Sequence, residues 1–150
     1  MSGLLTHSPA EILGQALLDL GELVDQADWS LGQWALAVDV EPDTPDDAVI
    51  FKDTQGIERW ASQLTGERER QHGVQLLIRS RTSNAGRAKA NVLQNLMEKE
   101  IFGMNVTVGS STYRLHCLAT VGDVLPLGFE EGSNRFLHSL NVTAVMWQLS

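Results

Sequence analysis

Hydrophobic spacing predicts most of the elements of this chain. Behind Ser8-Pro9-Ala10-Glu11, apolar residues recur at helical spacing: Ile12, Leu13, Ala16, Leu17, Leu20, Leu23 and Val24. Ser8 can cap, Pro9 takes the first helical position and Glu11 completes a capping box. The pattern predicts a helix from about Pro9 to Asp25, with Asp19, Glu22 and Asp25 outward. Trp34 to Val40 alternates as a strand, with Trp34, Leu36 and Val38 on one face. EPDTPDD, residues 41–47, is a polar, proline-broken loop. Ala48 to Asp53 reads as a second strand, ended by a turn at Thr54-Gln55-Gly56.

Periodicity then weakens. Residues 55–72 carry many charges and read as a long loop or excursion outside the core, and such excursions tend to be functional. Ile57, Trp60 and Leu64 make one apolar stripe there, with Trp60 as the candidate anchor for a partner on which the segment orders. Val74 to Arg81 is a near-continuous apolar strand. Ser83 or Asn84 caps a second helix running to about Phe102, with Ala88, Val92, Leu93, Leu96, Met97 and Ile101 as its buried face and Gly103 closing it. Val106–Val108 and Tyr113–Val121 flank the turn GSS, a hairpin signal. DVLPLGFEEGSNR interrupts, and Phe136 to Leu149 forms the last strand. The order α-β-β-β-α-β-β-β predicts an α+β fold: one domain over residues 1–150, a mostly antiparallel sheet and two helices packed on it.

Charge changes the picture more than composition does. The chain is 43% hydrophobic and 20% charged, the balance of a globular protein. It has no apolar run of about 18 residues, so no membrane partner is expected. Its first ten residues lack a secretory pattern, and a single cysteine, Cys117, fits a reducing compartment. The net charge of −8 is uneven. Residues 1–51 hold ten acids and no Lys or Arg, whereas the remainder holds nine acids and eleven bases. An electrically polar molecule suits head-to-tail association better than general nucleic-acid binding.

Catalytic chemistry has few candidates. There is no phosphate-binding glycine motif and no G-x-S-x-G or H-E-x-x-H. His7, His72, His116 and His138 lack metal-ligand spacing, and His116 and Cys117 are strand neighbours that point to opposite faces. Neither a catalytic residue, a metal nor a cofactor is therefore expected. Asp46 and Asp47 are paired carboxylates in a loop without the apolar surroundings that raise a pKa. Trp34 and Trp147 fall at strand positions and read as core. The basic stretch with Arg79, Arg81, Arg87 and Lys89 straddles a strand–helix junction. It fits an anion site at a helix N-terminus, a solvated polar edge, or a rim that meets an acidic neighbour.

Three longer segments and the acidic capped helix at the front resemble one family. They are PDDAVIFKDTQG (45–56), GVQLLIRSRTSNAGRAKANVLQNL (73–96) and YRLHCLATVGDVLPLGFEEGSNRFLHSLNV (113–142), the last with the Arg135-aromatic pair opening the final strand. Their order and spacing resemble the tail terminator, or minor capsid and tail completion, proteins of long-tailed bacteriophages. The likeness runs from about residue 8 to 149, except across 57–72. It implies a non-enzymatic virion protein, made in the host bacterial cytoplasm, at the head-proximal end of the tail. It implies a homo-hexameric ring that stops tail-tube polymerisation and offers a surface to the head–tail connector or stopper protein. DNA would pass the lumen without specific binding. The interface candidates are Arg79, Arg81, Arg87, Lys89, Trp60, Asp46, Asp47 and Arg135. A small-ligand-binding or enzymatic α+β domain is the alternative.

Overall fold

The computed structural model describes residues 5–61, 68–101, 103–120, 122–132 and 134–149, with backbone alone at 55–61, 68–70 and 116–120. Helix α1 spans Pro9–Asp19 and begins as its sequence predicts, with Ser8 Oγ accepting from the Glu11 N–H at 3.2 Å. A carboxylate from the sheet adds to this cap, Asp53 Oδ1 accepting from the Ala10 N–H at 2.8 Å. The helix ends at Asp19 rather than Asp25. Gly21 takes φ 78°, and the N–H groups of Gly21 and Glu22 donate back to Leu18 and Leu17 in a Schellman closure. Val24–Asp25 thereby becomes a short strand, β1, followed by a 3-10 turn at Gln26–Asp28.

The remaining elements are β2 (Ala35–Val38), β3 (Ala48–Ala61), β4 (Arg68–Ser80), α2 (Ser83–Lys99), β5 (Met104–Val108), β6 (Ser111–Thr120), β7 (Leu125–Glu130) and β8 (Arg135–Gln148). They form one eight-stranded sheet in the order β1-β2-β3-β4-β8-β6-β5, with β7 also paired to β8. The sheet is mixed, not mostly antiparallel: β1, β2 and β3 run parallel, and the later pairs antiparallel. A tight hairpin would have reversed the chain after β2. The proline-broken loop carries it back along the strand instead, so β3 enters in the same direction.

Two stretches read as irregular are strand where described. The expected 55–72 excursion is an extension of the β3–β4 hairpin, with Ile57 opposite Gln71 and Trp60 opposite Glu69. Backbone ladder bonds need no apolar side chains, so hydrophobic periodicity was a poor guide there. Residues 62–67 lie outside the described residues, as does the side chain of Trp60. The supposed interruption after β6 contains β7. It continues along the β8 edge that β6 occupies, with Leu125 opposite Ser139 and Phe129 opposite Phe136.

The core lies between the helices and one sheet face. Ile12, Leu13 and Leu17 of α1 and Leu93 and Met97 of α2 pack with Phe51, Leu76, Ile78, Tyr113 and Leu140. The buried line of α2 is Gly86, Ala90, Leu93 and Met97, with Ile101 beyond its end; Ala88 and Val92, expected inside, are exposed. Gly86 sets this orientation. A Cβ there would meet Ser80 Oγ at 2.4 Å and His138 Nδ1 at 2.9 Å, so its absence lets the helix seat on β4 and β8. Thr82 caps α2, its side chain accepting from the Ala85 N–H, one residue before the expected cap. The opposite face has a smaller core of Ala35, Ala48 and Ile50, with Trp29 and Leu77 against it.

Candidate assembly surface

Arg79 and Arg81 are two apart on β4 and just beyond its end, so they share a direction, the face opposite the helices. There they meet loop 41–47. Arg79 is fully buried, with Nη1 donating to Glu41 Oε1 at 3.0 Å, Nη2 to the Pro45 carbonyl at 2.6 Å and Nε to the Asp46 carbonyl at 3.2 Å. Arg81 Nε donates to Asp46 Oδ2 at 2.7 Å. Arg135, at the start of β8, donates through Nε to Asp46 Oδ1 at 2.8 Å and through Nη2 to the Asp43 carbonyl. Asp47 Oδ1 accepts from the Arg81 N–H at 3.4 Å.

Three guanidiniums from two strands thus pin one acidic loop, whose Thr44–Pro45 peptide is cis. Five predicted residues, Arg79, Arg81, Arg135, Asp46 and Asp47, come together within a single chain. The hydrogen bond from Arg81, followed by that from Arg135, holds the Asp46 carboxyl below its usual range despite partial burial. Lys89 is elsewhere. Its Nζ bonds the Glu22 carbonyl and carboxylate at 3.0 and 3.1 Å and lies 5.9 Å over the Trp34 ring, tying α2 to the end of α1. Arg87 is exposed on α2. Trp34 lies just before β2, which starts at Ala35 and not at Trp34 as expected, and packs partly buried against the core.

Sequence reasoning passed over two surface features. One is a groove of about 430 Å³ beside the pinned loop, lined by Trp29, Leu31, Pro45, Asp46, Asp47 and Arg81 among others. Leu31 is 88% exposed. The other is β7, where Leu125, Leu127 and Phe129 are 54, 52 and 49% exposed. Their period of two was a strand signal, masked by the interleaved Pro126 and Gly128.

The bacteriophage tail terminator protein family model matches residues 17–146. The chain therefore belongs to that family and is a structural protein of the phage tail. A solved chain from the "Virion of native gene transfer agent (GTA) particle" is similar at 14% identity and TM-score 0.46, covering 73% of this chain and 77% of that one. No curated relative matches. Among the described residues, no helix is long and apolar enough to cross a membrane.

Proposed function

We propose that the chain assembles as a homo-hexameric ring on the head-proximal end of the tail. The ring ends polymerisation of the tail tube protein, and its other side meets the head–tail connector or stopper. DNA passes the lumen without specific contacts, and the protein acts without catalysis or cofactor. The family match over residues 17–146 carries this reading. A closed ring needs two unlike surfaces per subunit. The charge division supports that: Asp19, Asp25, Asp28, Asp39 and Asp43 are exposed in the acidic third, and Arg81 and Arg87 are exposed beyond it. Arg79, Arg135 and Lys89 serve by holding loop 41–47 and the α1 end in place, while Asp46 and Asp47 fix Arg81 at the rim. Trp60, on the β3–β4 hairpin, is the candidate anchor for a partner.

Native mass spectrometry of the protein, free and released from tails, tests the ring. A species of six 16.5 kDa chains is expected in at least the tail-derived sample. Release from tails only as a monomer overturns the reading.

A further inference from the structure

His138, near the start of β8, is 3% exposed, and its buried Nδ1 has no hydrogen-bond partner among the described residues. The register fixes its surroundings. Ile78 of β4 lies opposite on one side and Pro126 of β7 on the other. Side chains alternate along the strand, so the ring shares the face of Leu140, the face that the helices cover. Gly86 of α2 is its roof. A Cβ there would stand 2.9 Å from Nδ1 and 2.4 Å from Ser80 Oγ. The ring is clamped between sheet and helix, and a change in it is felt first by this end of α2.

Neutral, the imidazole packs there as an aromatic ring. Charged, it has no counter-ion among the described residues. The N-terminal end of α2 carries about half a positive charge from its unpaired amides. Arg87 stands on the same turns, and burial followed by its charge lowers the His138 pKa. Lys89 of α2 is tied to Glu22. From β4, Arg79 and Arg81 point to the other face and are bonded to loop 41–47, and Arg135 of β8 is bonded to Asp46. The acids nearest along β7 are Asp123 before the strand and Glu130 at its end, neither of them opposite His138 in the register. The Ser80 hydroxyl donates to the Thr82 carbonyl at 2.6 Å, which leaves it a lone pair to offer and no charge. A buried imidazolium in such a place either does not form or opens the structure that buries it. The two halves of α2 resist opening unequally. Leu93 and Met97 seat the far half in the main core, whereas the near half buries Gly86 and Ala90.

We propose that His138 is a proton-sensitive latch for α2: when its ring takes a proton, the near half of the helix, residues 83–90, lifts from β4 and β8 while the rest of the fold stays closed. Arg87 rides on these turns, so the latch sets where one exposed charge of the rim stands. It is a property of the single chain and holds apart from the ring reading above.

Amide hydrogen exchange of the full chain tests this, read as protection factors so that the intrinsic pH dependence of exchange cancels. Protection of the Arg87 to Ala90 amides should fall as pH drops below about 6.5, by up to about tenfold per pH unit, while Leu93 to Met97 and β8 hold theirs. In His138→Gln that fall should vanish. Flat protection in the wild type, an equal loss along the whole chain, or the same loss in His138→Gln overturns the latch. An NMR titration of the wild type reads the same claim without a variant. His138 should titrate below about 6.5, with the amide signals of residues 83–90 moving together with it. Titration at the ordinary value with those signals unmoved overturns the latch as well.

Discussion

Arg79 shows how far a single residue's role depends on what folds over it. As text it is half of an Arg-x-Arg pair at a strand end, which reads as a rim. In the fold it is fully buried, because loop 41–47 closes over it and supplies a carboxylate and two carbonyls. The paired charges were legible, since an acidic loop and a basic strand end complement one another. That they pair within one chain was not, because nothing local says where a loop lies. Arg79→Ala leaves the Pro45 and Asp46 carbonyls without this donor and should cost on the order of 3 kcal/mol in urea unfolding. Two titrating groups add a pH dependence. Burial, and then the charge of Arg87, lowers the His138 pKa, and among the described residues its buried Nδ1 has no hydrogen-bond partner. The unfolded chain takes up that proton first, so His138's contribution is present above about pH 6.5 and is lost as pH falls through the lower folded value. Asp46, with its pKa also depressed, adds stability above about pH 3.9 that is lost at still lower pH. Melting temperature should therefore fall on acidification from pH 7, in two stages, and His138→Gln should flatten the first.

At the scale of elements, the start of α1 is encoded locally and its end is not. Ser8, Pro9 and Glu11 are a local signal that acts locally. Leu23 and Val24 extend the helical period by coincidence, and Gly21 breaks it. For α2 the face was misjudged because periodicity weighs apolar residues, whereas the contact that orients this helix is made by a glycine. Gly86→Ala separates the two effects. Higher helix propensity gains at most about 1 kcal/mol, and less in the first turns. Overpacking against Ser80 and His138 costs about 1–3 kcal/mol. The clash should win, giving net destabilisation by about 1 kcal/mol or more in thermal or urea unfolding. β7 leaves a different trace: ladder bonds to β8 hold it while Leu125, Leu127 and Phe129 stay exposed, and the outer hairpin of β3 and β4 is defined by its backbone pairing.

At the scale of the molecule, the α+β class, both helices and six of the strands were legible in the spacing of apolar residues, and the parallel entry of β1 and β2 was not. Parallel pairing is decided by a loop's path, which leaves no periodic trace. The family was legible too, through the order of several weak motifs across the chain, and the match over residues 17–146 bears it out. The proposed ring and its stoichiometry belong to surfaces that only a second copy reveals. The central proposal is that this protein sets where the tail tube stops. Electron microscopy of tails made with the gene intact and with it deleted measures that directly. Uniform tails with the gene and a broad distribution of overlong tubes without it are predicted, with uniform length restored when the purified protein is present during assembly. Tubes of normal, uniform length in the deletion would contradict the account.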